Sequence, residues 1–471
     1  MTRVDERALA AATGRHLAAD VTTDARARLS GGAARETWSF DAVMPDGRRL
    51  ALVLRRDPGA QHGLGSRATE FEVLRAATAA GVLAPETRFL LEPDDDLGDG
   101  FVMSRVDGET IPRRILRDDE LADARAGLAA QCGEQAARVH AVPLDSLPEI
   151  PVLDAAAQLE QYRQILDGIG EPHPAFELGL RRLGERPPPS AAPRLVHGDF
   201  RNGNLVVGAD GLRAVLDWEL AHLGDPVEDL AWCCVRSWRF GVVDRTVGGF
   251  GDVDDLLDAY TAAGGEEVDP ERLAWWEAFG TLKWGLICGI QAHTHLGGLV
   301  RSVELATLGR RIAETEWDLL RLLVPDLLAV SDRLLASDHQ PATDPPGAAE
   351  TPSSFQDRPT AAELLEAVRE FVEQDAQPGL EGRAAFHARV AVNALGIVER
   401  ELVLGPATDA PVTARLATVL GRPGSPRELA DALAVGIRDG SVDDGRPDVV
   451  EAVIALVRAK LAIANPRYAE A

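Results

Sequence analysis

Leu195-Val196-His197-Gly198-Asp199-Phe200-Arg201-Asn202-Gly203-Asn204-Leu205, followed shortly by Val215-Leu216-Asp217-Trp218-Glu219, is the stretch on which the fold turns. Leu195-Val196, Leu205-Val206-Val207 and Ala214-Val215-Leu216 are short apolar runs separated by polar residues and Gly211, a pattern of strand, loop and hairpin. Such a unit brings Asp199, Asn204 and Asp217 near one another without a long tertiary connection. One aspartate in a turn is usually a cap or an Asx turn. Three oxygen-bearing side chains in this order, between apolar strands, point instead to a site.

Working outward, Thr37–Val43 and Arg49–Arg55 are β-favouring runs around Pro45-Asp46-Gly47 and read as a hairpin, preceded by Ser30-Gly31-Gly32. Residues 67–79 switch to helical spacing through Phe71, Leu74 and Ala77 and stop at Gly81. Residues 89–91 and 101–103 suit a second antiparallel pair. Past Gly108 the spacing is mainly helical, at 119–141, 153–168, 253–262, 270–290 and 300–330. A strand-rich part followed by a helical part is an α+β arrangement with a cleft between them. Pro341, Pro345, Pro346, Pro352 and Pro359 then fall in a segment with little to bury, which reads as a linker. Helical spacing resumes at 361–374, 382–404, 411–420, 426–438 and 447–463. The expected organisation is a strand-rich lobe over 1–108, a helical lobe over 109–335, a linker over 336–359 and a small all-α accessory domain over 360–471.

The 75 acidic against 49 basic residues give a formal net charge of -26. Such a surface repels polyanions, which argues against nucleic acid and against an anionic membrane as partner. Cys132, Cys233, Cys234 and Cys288 contain no C-x-x-C pair, so buried free thiols in a reducing compartment are expected. The N-terminus lacks an apolar core and no run approaches about 18 apolar residues, so a cytoplasmic protein without a membrane span is expected.

Phosphoryl transfer from ATP needs a carboxylate to orient an acceptor hydroxyl and oxygen ligands to hold magnesium against the phosphates. H-G-D-F-R-N-G-N-L followed by V-L-D-W-E resembles the aminoglycoside phosphotransferase and choline kinase superfamily, relatives of the protein kinases. The resemblance spans roughly residues 25–330 and is nearest the kinase-like domains associated with acyl-CoA dehydrogenases. It implies a bilobal protein-kinase-like fold binding ATP and Mg2+, with Asp199 as the catalytic carboxylate and Asn204 and Asp217 as magnesium ligands. His197 would support the loop rather than take the proton. Asp225 and Asp229 would tie down the loop and the helix that follows.

By the same resemblance Gly31 and Gly32 occupy the nucleotide loop, where glycine permits close backbone approach to phosphates. Arg55 stands where most members carry lysine and would grip the phosphates through its fork of donors, with Glu70 as its partner and Glu72 as the second choice. An Arg–Glu surface pair would look the same from sequence. The stretch 101–108 resembles a hinge, with backbone near Met103 to Arg105 meeting adenine. Candidate acceptor contacts are Trp238, Trp284, His293 and Arg301, although tryptophans of this kind are more often core. The implied acceptor is a small-molecule hydroxyl, in the nearest subgroup a hydroxyacyl-CoA or hydroxy acid. An aminoglycoside or amino-alcohol kinase and an inactive nucleotide-binding regulator are the alternatives. The C-terminal part resembles an uncharacterised helical domain attached to such kinases, and packing, homodimer formation and substrate presentation are all open to it.

Overall fold

The computed structural model describes residues 4–29, 36–57, 66–326 and 361–470. In chain order the elements are α1 (Glu6–Leu17), β1 (Thr22–Arg28), β2 (Glu36–Val43), β3 (Arg49–Asp57), α2 (Arg67–Ala79), β4 (Thr87–Leu90), β5 (Asp99–Ser104), α3 (Pro112–Arg117), α4 (Ala122–Ala126), α5 (Leu128–His140), α6 (Ala155–Ile169) and α7 (Pro174–Glu185). There follow β6 (Arg194–Val196), β7 (Leu205–Gly208), β8 (Gly211–Val215), β9 (His222–Gly224), α8 (Val227–Cys234), α9 (Val253–Ala262), α10 (Pro270–Leu296), α11 (Val303–Leu308) and α12 (Ile312–Leu323). The last are α13 (Ala361–Glu370), α14 (Gly382–Leu420), α15 (Pro426–Asp439) and α16 (Pro447–Ala464). The chain divides into two compact units, Met1–Gln158 with Pro188–Gly280, and Leu159–Pro187 with Thr281–Ala471.

The first unit holds a five-stranded antiparallel sheet in the order β1-β2-β3-β5-β4. Alternation along β2 and β3 sends Phe40, Leu52 and Leu54 to one face, where they pack with Leu9 and Ala12 of α1 and with Phe89 and Val102. The expected hairpin is present, with Trp38 opposite Leu54 and Phe40 opposite Leu52. Strand β1, TTDARAR, gives no alternating apolar signal because it is a polar edge strand, and charge on an edge discourages pairing with other chains. Ser66 caps α2 by accepting from the Ala68 N–H, so the helix begins immediately at Arg67. Downstream, β7 and β8 form a two-stranded hairpin and β6 pairs with β9, which frames the loop from 197 to 204.

In the second unit, Leu178 of α7 and Trp317 and Leu320 of α12 share one apolar core with Leu429, Leu433, Val453 and Val457. Read from sequence as part of a separate domain, α15, α16 and the end of α14 bury apolar residues in this common core, as amphipathic helices must, whereas α13 buries none of its residues. Two further differences are local. Sequence punctuation at Pro406 and Pro411 suggests a break, yet α14 continues through both prolines. The missing proline N–H groups leave the Leu402 and Ala407 carbonyls without their helical donors, and burial of Ile397 and Leu416 on either side offsets that loss. Conversely, the helix expected over 119–141 is interrupted at Gly127.

Glu316 of α12 is fully buried, with Lys460 Nζ at 2.9 and 3.0 Å from its two oxygens and His173 Nδ1 at 2.9 Å. Burial works against its charged form, but Lys460 and the His173 bond hold its pKa below the usual glutamate value. Lys460→Met would strand that carboxylate, and a loss of about 3 kcal/mol in urea unfolding is expected. Unchanged stability would show that Glu316 is neutral in the wild type.

Candidate active site

The sharp turn after β6 begins at Gly198, with φ +79°, where an added Cβ would meet the Leu220 carbonyl oxygen at 2.5 Å. Only glycine suits that position. Asp229 of α8 is fully buried and receives the N–H groups of His197 at 2.8 Å and Gly198 at 2.9 Å, pinning the turn from below. His140 Nε2 is 3.2 Å from the same carboxylate. Asp199 then presents its carboxylate under three donors. Its Oδ1 accepts from Arg201 Nε and Trp232 Nε1, each at 2.8 Å, and its Oδ2 from Asn204 Nδ2 at 2.6 Å. The Arg201 guanidinium lies 4.2 Å over the Trp238 ring.

His197 joins the two halves of the motif. Its Nε2 is 3.1 Å from the Leu216 carbonyl oxygen, and the Asp199 N–H reaches its Nδ1 at 3.2 Å. A carbonyl only accepts and an N–H only donates, so the ring is the Nε2–H tautomer with Nδ1 as acceptor. Leu216 N–H also donates to the Asn204 carbonyl at 2.7 Å. Asp199, Asn204 and Asp217 are thereby brought together by bonds through one buried ring and one backbone contact. Asp217 itself is left-handed at φ 69°, uncommon for a non-glycine residue.

From the sheet, Arg55 on β3 reaches the same place. Its Nη2 lies 2.5 Å from Asp217 Oδ1 and 2.6 Å from Glu219 Oε2, and its Nε is 2.9 Å from Glu70 Oε1 of α2. Burial works against the charge on Asp217, but Arg55, with Arg201, holds its pKa below the ordinary aspartate value.

Comparison with known proteins bears on the family and the fold. Residues 27–276 match the model of the phosphotransferase enzyme family. The chain belongs to that family. Residues 378–468 of this family member match a domain of unknown function. Over 204 residues it is 30% identical to acyl-CoA dehydrogenase family member 10 of Mus musculus, covering 40% of this chain and 18% of the mouse protein. Over 276 residues it is 27% identical to acyl-CoA dehydrogenase family member 11 of Gallus gallus, covering 52% of this chain and 34% of that protein. Viomycin phosphotransferase of Streptomyces vinaceus is 30% identical over 150 residues, 28% of this chain and 48% of that enzyme. The chain spans less than half the length of each of these relatives. A Ralstonia eutropha structure assigned as an aminoglycoside phosphotransferase superposes with a TM-score of 0.53 at 23% identity, covering 68% of this chain and 98% of that one, and so shares the kinase-like fold.

The oxygen set of this family member suits magnesium. Asn204 uses its Nδ2 on Asp199, which leaves its amide oxygen as an acceptor. Around Arg55 and Arg67 stand Asp57, Glu70, Asp217 and Glu219, an excess of carboxylates over guanidinium groups that a divalent cation would balance. Among the described residues no group of three His, Cys, Asp or Glu is arranged to hold a metal. Magnesium does not need one: it takes one or two carboxylates and draws further oxygens from phosphates and water.

His197 is fully buried, and desolvation lowers its pKa despite the charges of Asp229, Asp199 and Asp217 nearby. A histidine held neutral in the fold binds fewer protons than the unfolded chain below about pH 6.5, so stability should fall as pH drops from there. The slope from this one ring is at most about 1.4 kcal/mol per pH unit. Urea unfolding between pH 7.5 and 5.5 should therefore be flatter for His197→Gln than for the wild type. Parallel profiles would assign the dependence to other groups.

Of the remaining expectations, Gly31 and Gly32 lie outside the described residues. Met103 pairs with Val53 in β5, and the Ser104 and Arg105 N–H groups already bond the Glu86 and Ala51 carbonyls. The Arg105 side chain turns to Ser39 at 2.8 Å and Asp41 at 2.9 Å. Asp225 caps the start of α8 through the Val227 N–H and binds Arg272 and Trp276. Trp238 lies beside Arg201 and Trp232, whereas Trp284, His293 and Arg301 fall in the second unit. There His293 Nδ1 faces the Gly289 carbonyl and Arg301 donates to the His295 carbonyl, both backbone contacts. Glu219, Arg201 and Arg67 were assigned no role by sequence reasoning. Glu219 and Arg201 each had a local signal, the i+2 position after Asp217 and after Asp199. All four cysteines are buried and free, and no helix among the described residues is long and apolar enough to cross a membrane.

Proposed function

We propose that this chain transfers the γ-phosphoryl group of ATP to a hydroxyl of a small molecule, with a hydroxyacyl-CoA or hydroxy acid as the acceptor class. The observation that carries the proposal is the His197 bridge, which locks Asp199 to the strand end bearing Asp217. Asp199 receives the acceptor hydroxyl and orients it for in-line attack; its three donors fix the carboxylate before substrate arrives. Those same donors spread its charge, which suits a residue that positions the nucleophile more than one that removes its proton early. Arg55 binds phosphate oxygens through its terminal nitrogens. Asn204, Asp217 and Glu219 would hold magnesium, which when bound neutralises charge developing on the phosphates.

The likeness to acyl-CoA dehydrogenase family members 10 and 11 supports a hydroxyacyl-CoA or hydroxy acid, and the likeness to viomycin phosphotransferase keeps cationic antibiotics in the screen. The test is magnesium-dependent ADP release with hydroxyacyl-CoAs, hydroxy acids, amino alcohols and aminoglycosides. Turnover confined to the first two classes is the expected result. ATP binding with no acceptor phosphorylated would favour a regulatory protein.

A further inference from the structure

We infer that Arg67 is a positioning residue that lets an arginine serve as the phosphate-binding cation at position 55. The inference rests on the reading that Arg55 contacts nucleotide phosphates. An arginine beside a carboxylate tends to close a two-point fork, with two nitrogens on the two oxygens of one partner. Arg55 does not close that fork on Glu70. Its Nε approaches Oε1 at 2.9 Å, whereas its Nη2 turns away to Asp217 and Glu219.

The cause lies one helical turn before Glu70. Arg67 Nη1 holds the other oxygen, Oε2, so a second nitrogen of Arg55 could reach it only beside another guanidinium of like charge. The Arg67 side chain is fully buried, and its Nε stands 3.3 Å from Asp57 Oδ2 at the end of β3. One guanidinium thus ties the first turn of α2 to the strand that carries Arg55 and occupies half of Glu70.

A purely stabilising ion pair is the competing explanation. Against it, burying a full guanidinium is unfavourable unless all its donors are matched, and Arg67 Nη2 has no hydrogen-bond partner among the described residues. The arrangement makes better sense as a division of labour. Arg67 occupies Glu70 so that the terminal nitrogens of Arg55 stay in the cleft. A lysine at position 55 has a single nitrogen and no fork to close, so it would not need Arg67.

That difference gives a test that a structural role would not pass. Binding of AMP-PNP with magnesium to the full chain is measured calorimetrically for the wild type, Arg67→Met, Arg55→Lys and the double variant. Arg67→Met should weaken binding about tenfold beside Arg55 and less than about twofold beside Lys at that position. Equal losses in both backgrounds, or no loss in either, overturn the inference. Should Arg67→Met fail to fold, Arg67→Lys is read in the same cycle, because a point charge cannot hold Asp57 and Glu70 together; the loss should keep its sign at about threefold. Arg55→Met separates the underlying reading. If that variant binds AMP-PNP as the wild type does, Arg55 is no phosphate ligand and the inference falls with it. If it binds weakly while Arg67→Met is neutral, only the role of Arg67 is lost.

Discussion

Asp199→Asn is expected to lower turnover by about 10²- to 10⁴-fold while leaving AMP-PNP affinity within about threefold of the wild type. The substitution keeps shape and removes charge. It also replaces one acceptor oxygen by an NH2 group where Arg201 and Trp232 donate to Oδ1 and Asn204 to Oδ2. Whichever way the amide turns, a donor faces a donor, so the side chain rotates off the line of attack. In the proposed function nucleotide binding would depend mainly on Arg55 and on the oxygens of Asn204, Asp217 and Glu219, which the change leaves in place. The measurement is ADP release with the best acceptor from the screen, beside calorimetric titration of AMP-PNP. Undiminished turnover would remove Asp199 from the reaction.

Much of this site was legible because it is local. His197 to Asn204 lie within one loop and Asp217 on the next hairpin, so chain order alone places them together. The sheet was legible where alternation is clean, as along β2 and β3, and invisible at β1, whose polar residues carry no period. Glu70 could be expected from the family resemblance, on the helix that follows the strand of Arg55. Arg67 could not: its importance depends on complete burial between Asp57 and Glu70, and an arginine at the start of a helix usually means solvent. Trp232 presents the same difficulty. Its ring packs like any core tryptophan, and only the 2.8 Å contact from its indole nitrogen to Asp199 sets it apart. The continuous helix through Pro406 and Pro411 shows the reverse case, in which a strong local signal yields to tertiary packing.

Asp217→Asn should abolish most of the magnesium dependence of nucleotide binding without abolishing binding itself. Asparagine tolerates the left-handed backbone at this position, so the fold should survive the change. Loss of one anionic oxygen should weaken magnesium by at least about tenfold. Arg55 meanwhile loses the partner 2.5 Å from its Nη2 and keeps Glu219 and Glu70, so its terminal nitrogens become freer to meet phosphate. AMP-PNP affinity in EDTA should therefore equal or exceed that of the wild type, while the gain on adding magnesium shrinks. The same carboxylate carries a stability term of known sign. Its pKa is depressed in the fold, so its contribution is complete above the ordinary aspartate value of about 3.9 and disappears as pH falls through the folded value. Wild type and Asp217→Asn should accordingly differ in urea stability at neutral pH and converge in acid. A variant that keeps full magnesium stimulation would show that Asp217 serves Arg55 alone, and the metal would have to be sought at Glu219.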